Sequence, residues 1–219
     1  MGNLLDHNDK PDNYYSGSRL EMVPYVPVDA MRILDVGCGA GEFGNALKFQ
    51  RCVEVWGIEL CEQAAEEAQG KLDRVLVGSI EGNTMSLPEG YFDCVVFNDV
   101  IEHLVNPWAV LTNIKTYMQA DAYVVASIPN VRYFNNIKTL LKHKQWKYED
   151  EGILDKTHLR FFTIESIKEL FISCSYNIIK IEGIRGRQFP WKFRLINMVM
   201  RNCFDDMRYM QFACLTRCR

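Results

Sequence analysis

The stretch Ile33-Leu34-Asp35-Val36-Gly37-Cys38-Gly39-Ala40-Gly41 is an apolar run that ends in an acidic residue and then three glycines at alternate positions. It reads as a strand running into a turn built to hold a small ligand. Side chains at those positions would block a ligand, and glycine tolerates both close backbone approach and positive φ. Twenty residues past Gly39, Glu59 closes a second apolar run over residues 53–58. A carboxylate at the tip of the neighbouring strand can accept two hydrogen bonds from a ribose diol.

The same turn contains Gly39-Ala40-Gly41-Glu42-Phe43-Gly44, which satisfies the G-x-G-x-x-G spacing of dinucleotide folds. An NAD-dependent oxidoreductase is therefore one reading, and a tight strand-to-helix turn without a ligand is another. Against the dinucleotide reading stand Asp35 and Gly37, because a dinucleotide-binding strand usually runs apolar up to its first glycine.

Strands and helices alternate on both sides of this turn. Residues 32–36, 53–58, 75–77, 91–97 and 122–128 read as strands, with helices at 42–49, 62–71 and along Leu104, Trp108, Leu111 and Ile114. The run 91–97 is continuously apolar, as a central strand covered on both faces requires. Such alternation implies right-handed crossovers and a parallel sheet that binds ligands at the carboxyl ends of its strands. Beyond Pro129-Asn130 comes a long polar and aromatic segment. A helix follows that Thr163 can cap, with Ile164, Ile167, Leu170 and Phe171 on its apolar face. Residues 178–181 read as a strand, 193–201 as a helix and 211–215 as a final strand.

At 219 residues and 48% hydrophobic, the chain can bury the core of one large α/β domain, expected to span residues 1–219. The eight cysteines form no C-x-x-C pair and read as buried thiols of a reducing compartment. No metal site is expected from them. With no basic-then-apolar leader and no long apolar stretch, the sequence points to a cytoplasmic protein without stable membrane insertion. Net charge is −3, unevenly spread. From Gly183 onward there are eight Lys or Arg against two Asp, whereas the body is acidic. An acidic body does not suit nucleic acid, but the basic C-terminal region can meet an anionic acceptor or, weakly, a membrane surface.

Asp35 together with Gly37, Gly39 and Gly41 resembles motif I of the class I S-adenosylmethionine (SAM) methyltransferases. The resemblance implies a Rossmann-like, doubly wound α/β fold. Its sheet would have seven strands, mostly parallel, with an antiparallel C-terminal edge pair. It implies SAM as cofactor, with Asp35 near the methionine amino group, the glycine backbone against the methionine portion and Glu59 on the ribose. Ser79 stands where the family often has an acidic residue on the adenine amino group, so it offers one weaker hydrogen bond, with Ile80 as an apolar wall. Asn98-Asp99-Val100-Ile101-Glu102-His103-Leu104 is similar to the strand tip that flanks the reactive sulfonium, placing Asn98 nearest the methyl group.

The stretch Asp155-Lys156-Thr157-His158-Leu159-Arg160-Phe161-Phe162-Thr163 looks like a segment of bacterial methyltransferases of surface-polysaccharide, sugar and small-metabolite pathways. By that likeness His158 lies over the carboxyl end of the sheet as a general base, and His103 competes for the role. Asn130, Tyr133 and Arg160 are the candidate acceptor-binding residues, Arg160 toward a phosphate or carboxylate. Residues 1–30 become an N-terminal helical cover with Tyr14 and Tyr15, residues 130–160 an acceptor-side insertion, and residues 183–208 a basic helical insertion. The expected activity is methyl transfer to an O or N atom of a small, sugar-like or anionic acceptor. A non-catalytic SAM-binding module is the remaining alternative.

Overall fold

Strand β1 (Arg32–Val36) sends Leu34 and Val36 into one apolar layer and Ile33 into another, so both of its faces are covered. Strand β4 (Phe92–Asn98) divides in the same way, Val95 and Phe97 on one side, Cys94 and Val96 on the other. That double burial is why its sequence is continuously apolar rather than alternating. The computed structural model describes residues 18–82 and 86–218, so Tyr14 and Tyr15 lie outside the described residues.

The other strands are β2 (Glu54–Glu59), β3 (Arg74–Val77), β5 (Met118–Pro129), β6 (Tyr176–Gly186) and β7 (Tyr209–Cys218). They form one sheet in the order β3-β2-β1-β4-β5-β7-β6. The first five run parallel, and β7 lies antiparallel to both β5 and β6. Strand order reverses between β1 and β4, the place where sheets of this kind open a crevice for ligands.

Helices α1 (Glu42–Gln50) and α2 (Glu62–Gln69) follow β1 and β2. Helix α3 (Pro107–Asn113) starts on the side chain of Asn106, which accepts a hydrogen bond from Ala109 N, with Pro107 in the first turn. Helix α5 (Ile164–Ser173) starts on the expected Thr163, in a capping box with Ser166.

Four local expectations differ from the structure. The segment 130–160 contains a helix, α4 (Phe134–His143), whose residues are all at least partly exposed and so lack the buried stripe that marks a helix in sequence. Strand β6 continues to Gly186, so the helical part of the C-terminal insertion, α6 (Trp191–Val199), begins later than residue 183. Edge exposure explains the miss: Lys180 and Glu182 interrupt the apolar pattern of β6, as charges on edge strands commonly do. The helix after β4 is shorter than its apolar spacing suggests, with 3-10 turns at Ile101–His103 and Ile114–Tyr117 on either side. Finally, Cys52 and Cys203 are exposed, while Cys38, Cys94, Cys174, Cys214 and Cys218 are buried.

Candidate active site

The turn after β1 is held from two sides. Gly37 N and Cys38 N donate to Ile58 O at 2.8 and 3.1 Å, and Gly39 N donates to Glu59 Oε2 at 2.8 Å. The Gly39-to-Glu59 spacing thus appears as a direct contact between loop and strand tip. Gly37, Gly39 and Gly41 all have positive φ, at 70°, 53° and 79°. At Gly37 a Cβ would also meet Val100 Cγ2 at 2.6 Å. Gly37 and Gly39 line a cavity of about 930 Å³ at the carboxyl end of the sheet, but Gly41 does not. Gly41 instead starts α1 and packs on α2, where a Cβ would lie 3.1 Å from Ala68 Cβ.

Around this turn the polar groups are incompletely paired. Asp35 is only 2% exposed, and its Oδ2 has no hydrogen-bond partner. Burial, reinforced by the charge of Glu59, pushes its carboxyl up to about 8. The side-chain oxygen and nitrogen of Asn98, at the end of β4, are both buried without partners. Orphaned buried groups of this kind cost stability unless a ligand or water completes them. Glu59 is different: Oε1 already accepts from Leu60 N and Cys61 N at 2.8 and 3.0 Å. With Gly39 this makes three backbone donors on one carboxylate, which leaves room for about one more. Ser79 and Ile80 line the same cavity. The Ser79 hydroxyl oxygen accepts from Glu81 N at 3.1 Å and keeps its own proton to donate.

On the opposite wall the 3-10 turn Ile101–His103 meets the segment 153–160. Glu102 O accepts from Leu159 N and Arg160 N, at 2.9 and 3.0 Å. His103 Nδ1 donates to Thr157 O at 3.2 Å and His158 Nδ1 to Ile153 O at 3.0 Å. The two imidazole rings stand edge to face, 4.7 Å between centroids. The Glu102 carboxyl is 1% exposed, and its Oε1 lies 3.9 Å from His158 Nε2. Burial first, then the negative charges of Asp99 and Asp155, hold that carboxyl well above the usual carboxylate range. All three residues line the cavity.

A third group closes the cavity beside Asn98. Arg19 pairs with Asp99 and donates to Ser127 Oγ at 2.7 Å, while Asp99 Oδ1 accepts from Ser127 Oγ at 2.9 Å and Gln211 Nε2 at 3.0 Å. Arg19, Glu102, Arg185 and Gln211 were not anticipated from sequence. Glu102 had a signal, an acid between Ile101 and His103 directly after the strand tip. Arg19, Arg185 and Gln211 had none: Gln211 reaches Asp99 only because β7 pairs with β5, while Arg19 comes from the segment before β1 and Arg185 from the edge strand β6.

Three expected acceptor residues stand elsewhere. Asn130 is fully buried and saturated: Nδ2 donates to Asp206 O and Tyr209 O, and Oδ1 accepts from Arg132 N. It anchors β5 to the start of β7 and does not reach the cavity wall. Tyr133 lines a separate, smaller pocket with Phe134, Lys138 and Phe189. Arg160 is exposed, donates to Val105 O at 2.7 Å and is not part of the wall.

The methyltransferase domain family matches residues 7–180. The chain belongs to that family. Its membership sets aside the dinucleotide reading of the glycine turn. Over 134 residues it is 28% identical to the ubiquinone biosynthesis O-methyltransferase of Albidiferax ferrireducens, covering 58% of this chain and 52% of that protein. The chain spans about half the length of the curated relatives it matches. Among solved structures, a SAM-dependent methyltransferase from Archaeoglobus fulgidus superposes with a TM-score of 0.71 at 21% identity, over 94% of this chain and 97% of that one. The plantazolicin methyltransferase BpumL, solved in complex with SAH, gives a TM-score of 0.62 at 19% identity, over 98% and 87% of the two chains. The fold is thus that of the class I SAM-dependent methyltransferases.

Proposed function

We propose that this methyltransferase domain moves a methyl group from SAM to a hydroxyl, or alternatively an amine, of a small sugar-like or anionic acceptor. The observation that carries the reading is one cavity with two chemically different walls: unpaired Asp35 and Asn98 at the glycine turn, and Glu102, His103 and His158 across from it. Asp35 answers the cationic methionine end of the cofactor, and the backbone at Gly37 and Gly39 gives it room. Glu59 has one acceptor site left for a ribose hydroxyl, so gripping both hydroxyls requires one backbone donor to move away. Ser79 and Ile80 border the space for the adenine, and Asn98 stands at the strand tip beside the reacting carbon.

Bound SAM supplies a sulfonium methyl whose carbon leaves the sulfur with the sulfur keeping the bonding electron pair. The chain's own residues align the acceptor oxygen or nitrogen in line with that bond and keep water out of the cavity. The proton shed by a hydroxyl acceptor leaves on the His103 and His158 side. An O-acceptor is favoured because the curated relatives carry the name O-methyltransferase. Arg19 and Arg185 on the wall are the cations an anionic acceptor would meet.

The free thiols fit a cytoplasmic, reducing setting. Among the described residues no helix is long and apolar enough to cross a membrane. Helix α6 nevertheless exposes Trp191, Leu195 and Val199 next to Lys192 and Arg194, which supports weak contact with an anionic lipid surface. Sedimentation with phosphatidylglycerol vesicles, lost at high salt, is the expected result.

Calorimetric titration with SAM tests the main reading. Saturable binding to the purified protein is expected, weakened by about 1 to 3 kcal/mol in Glu59→Ala. Absence of binding, or an unchanged affinity in that variant, would overturn the site as described. A radiolabelled-methyl assay over hydroxyl and amine acceptors then identifies the class.

A further inference from the structure

Beside the large cavity lies a second pocket, of about 320 Å³, with the opposite charge. Acids crowd the large one, where Asp35, Glu59, Asp99, Glu102 and Asp155 all stand in the wall. Its arginines are already engaged: Arg19 pairs with Asp99, and Arg185 with Glu21 at 2.7 Å. The wall of the second pocket holds Lys138, Arg187 and Arg208 and, among the described residues, no carboxylate. None of these three side chains makes a hydrogen bond or an ion pair among the described residues, and Arg208 Nε is buried without a partner. The nearest acids in sequence are taken, Asp206 by Arg132 at 2.9 Å and Asp205 Oδ1 by Asn197 Nδ2 at 2.7 Å. Backbone pairing holds two of the cations together, Arg187 N donating to Arg208 O at 2.9 Å. Like charges gathered without a counter-ion repel one another, and a bound anion removes that cost.

Two helices also begin at this pocket. Tyr133 and Pro190, the residues before α4 and α6, both line it, neither helix start has a side-chain cap, and neither first turn carries an acid. Their free amides add to the pull on an anion. The rings of Phe134 and Phe189, 5.7 Å apart, fix the two starts against each other. The pocket shares a rim with the large cavity: Arg185 and Met210 line the large one, and Arg187 and Arg208, two residues away on each chain, line the small one. Two residues of extended chain span about 7 Å.

We propose that the pocket of Lys138, Arg187 and Arg208 binds a phosphate ester group of the acceptor, so that the methylated hydroxyl belongs to a sugar phosphate or a nucleotide-linked sugar that reaches from this pocket into the large cavity. The acceptor assignment rests on the transfer reading; the phosphate site does not. Guanidinium forks match phosphate oxygens, and a phosphate held here stays clear of the acid-lined cavity while the uncharged sugar enters it. Binding energy gained at the phosphate then orients an oxygen remote from it.

The test titrates the purified chain with inorganic pyrophosphate, followed by amide NMR. Saturable shifts are expected at residues 133–138, 187–190 and 208. Arg187→Gln should weaken binding about fivefold, and Arg187→Gln with Lys138→Gln about twentyfold. Both side chains are exposed, so the fold survives these changes, and Lys142→Gln at the far end of α4 leaves the affinity unchanged. Non-saturable binding, shifts confined to the turn around Gly37 and Gly39, or an affinity that survives the double change would overturn the site. Loss of phosphatidylglycerol vesicle binding in the double variant, with no pyrophosphate binding to the unaltered chain, would overturn it in favour of a lipid headgroup. For the acceptor that the methyl-transfer assay identifies, Arg187→Gln or removal of the phosphate should raise KM about tenfold and leave kcat within about twofold. An acceptor without phosphate, with a KM indifferent to Arg187, would overturn the acceptor assignment. Titration with SAM runs in parallel. SAM binding without pyrophosphate binding removes this inference and leaves the transfer reading, whereas pyrophosphate binding without SAM does the reverse.

Discussion

The two walls of the cavity are built in opposite ways. The glycine-turn wall comes from neighbouring residues, Asp35 through Gly39 on one strand tip, joined by Glu59 through a single 2.8 Å hydrogen bond. The opposite wall joins Glu102 and His103 to His158 across more than fifty residues of chain, through backbone bonds from Leu159 and Arg160 to Glu102 O. A wall of the first kind depends on backbone shape, so its sensitivity lies in glycines. A wall of the second kind depends on side-chain charge and on a loop holding its place.

The sharpest way to break the comparison is Gly37→Val. Its Cβ meets Val100 Cγ2 at 2.6 Å in a backbone held at φ +70°, so both space and conformation oppose the change. A β-branched residue is the worst case at positive φ. SAM binding should fall by more than about a hundredfold in calorimetry, the equivalent of roughly 3 kcal/mol. Adding Val100→Ala should restore only part of the loss, because it relieves the contact and not the dihedral. Full rescue would mean the turn is less constrained than its φ values imply.

Asp35→Asn probes the same wall electrostatically. In the ligand-free protein the Asp35 carboxyl is held up to about 8 by burial and the nearby Glu59, against an ordinary 3.8. Between those values the fold keeps a proton that the unfolded chain has lost. Stability from this group is therefore complete below about pH 4 and is lost as pH rises through 8. A cationic ligand favours the ionised carboxylate, so binding should release a proton, and affinity should climb by up to about tenfold per pH unit below 8. Calorimetry in two buffers of different ionisation enthalpy measures the release. Asp35→Asn should abolish the affinity slope and remove this group's share of the stability slope, leaving that of Glu102; an affinity slope that persists would assign the proton to another group.

The difference between the walls also explains what could be read from the chain. The alternation of strands and helices, the Thr163 cap and the glycine turn after β1 rest on short-range pattern, and each is present in the fold. The Glu102 wall was legible only as fragments: His103 and His158 could be singled out, but their convergence on Glu102 needs the path of the 130–160 segment. Asn130, a polar residue at a strand tip, looks available until Asp206 O, in the turn before β7, and Tyr209 O, at the start of β7, are seen to take its amide protons. Tyr133, the buried residue that precedes α4, lines the pocket beside Phe189 instead. Gly41 shares its spacing with two cavity-lining glycines, yet its φ serves the start of α1.

The smallest expected effect separates a loop tie from an acceptor clamp. The Arg160 guanidinium donates to Val105 O and to Leu159 O, and its side chain stands outside the cavity wall. Removing it in Arg160→Ala costs an exposed hydrogen bond to a backbone carbonyl, about 0.5 kcal/mol, or a fall in Tm of roughly 1 to 2 °C for a chain of this size. SAM affinity should stay within experimental error, because the glycine-turn wall lies on other strands. For acceptor kinetics, a residue that only secures the loop should leave KM nearly unchanged and lower kcat slightly, through His158 two residues away. A residue that grips an anionic acceptor would instead raise KM severalfold at constant stability. That second pattern would return Arg160 to the acceptor site and show that the segment 153–160 closes further over bound acceptor than it does without one.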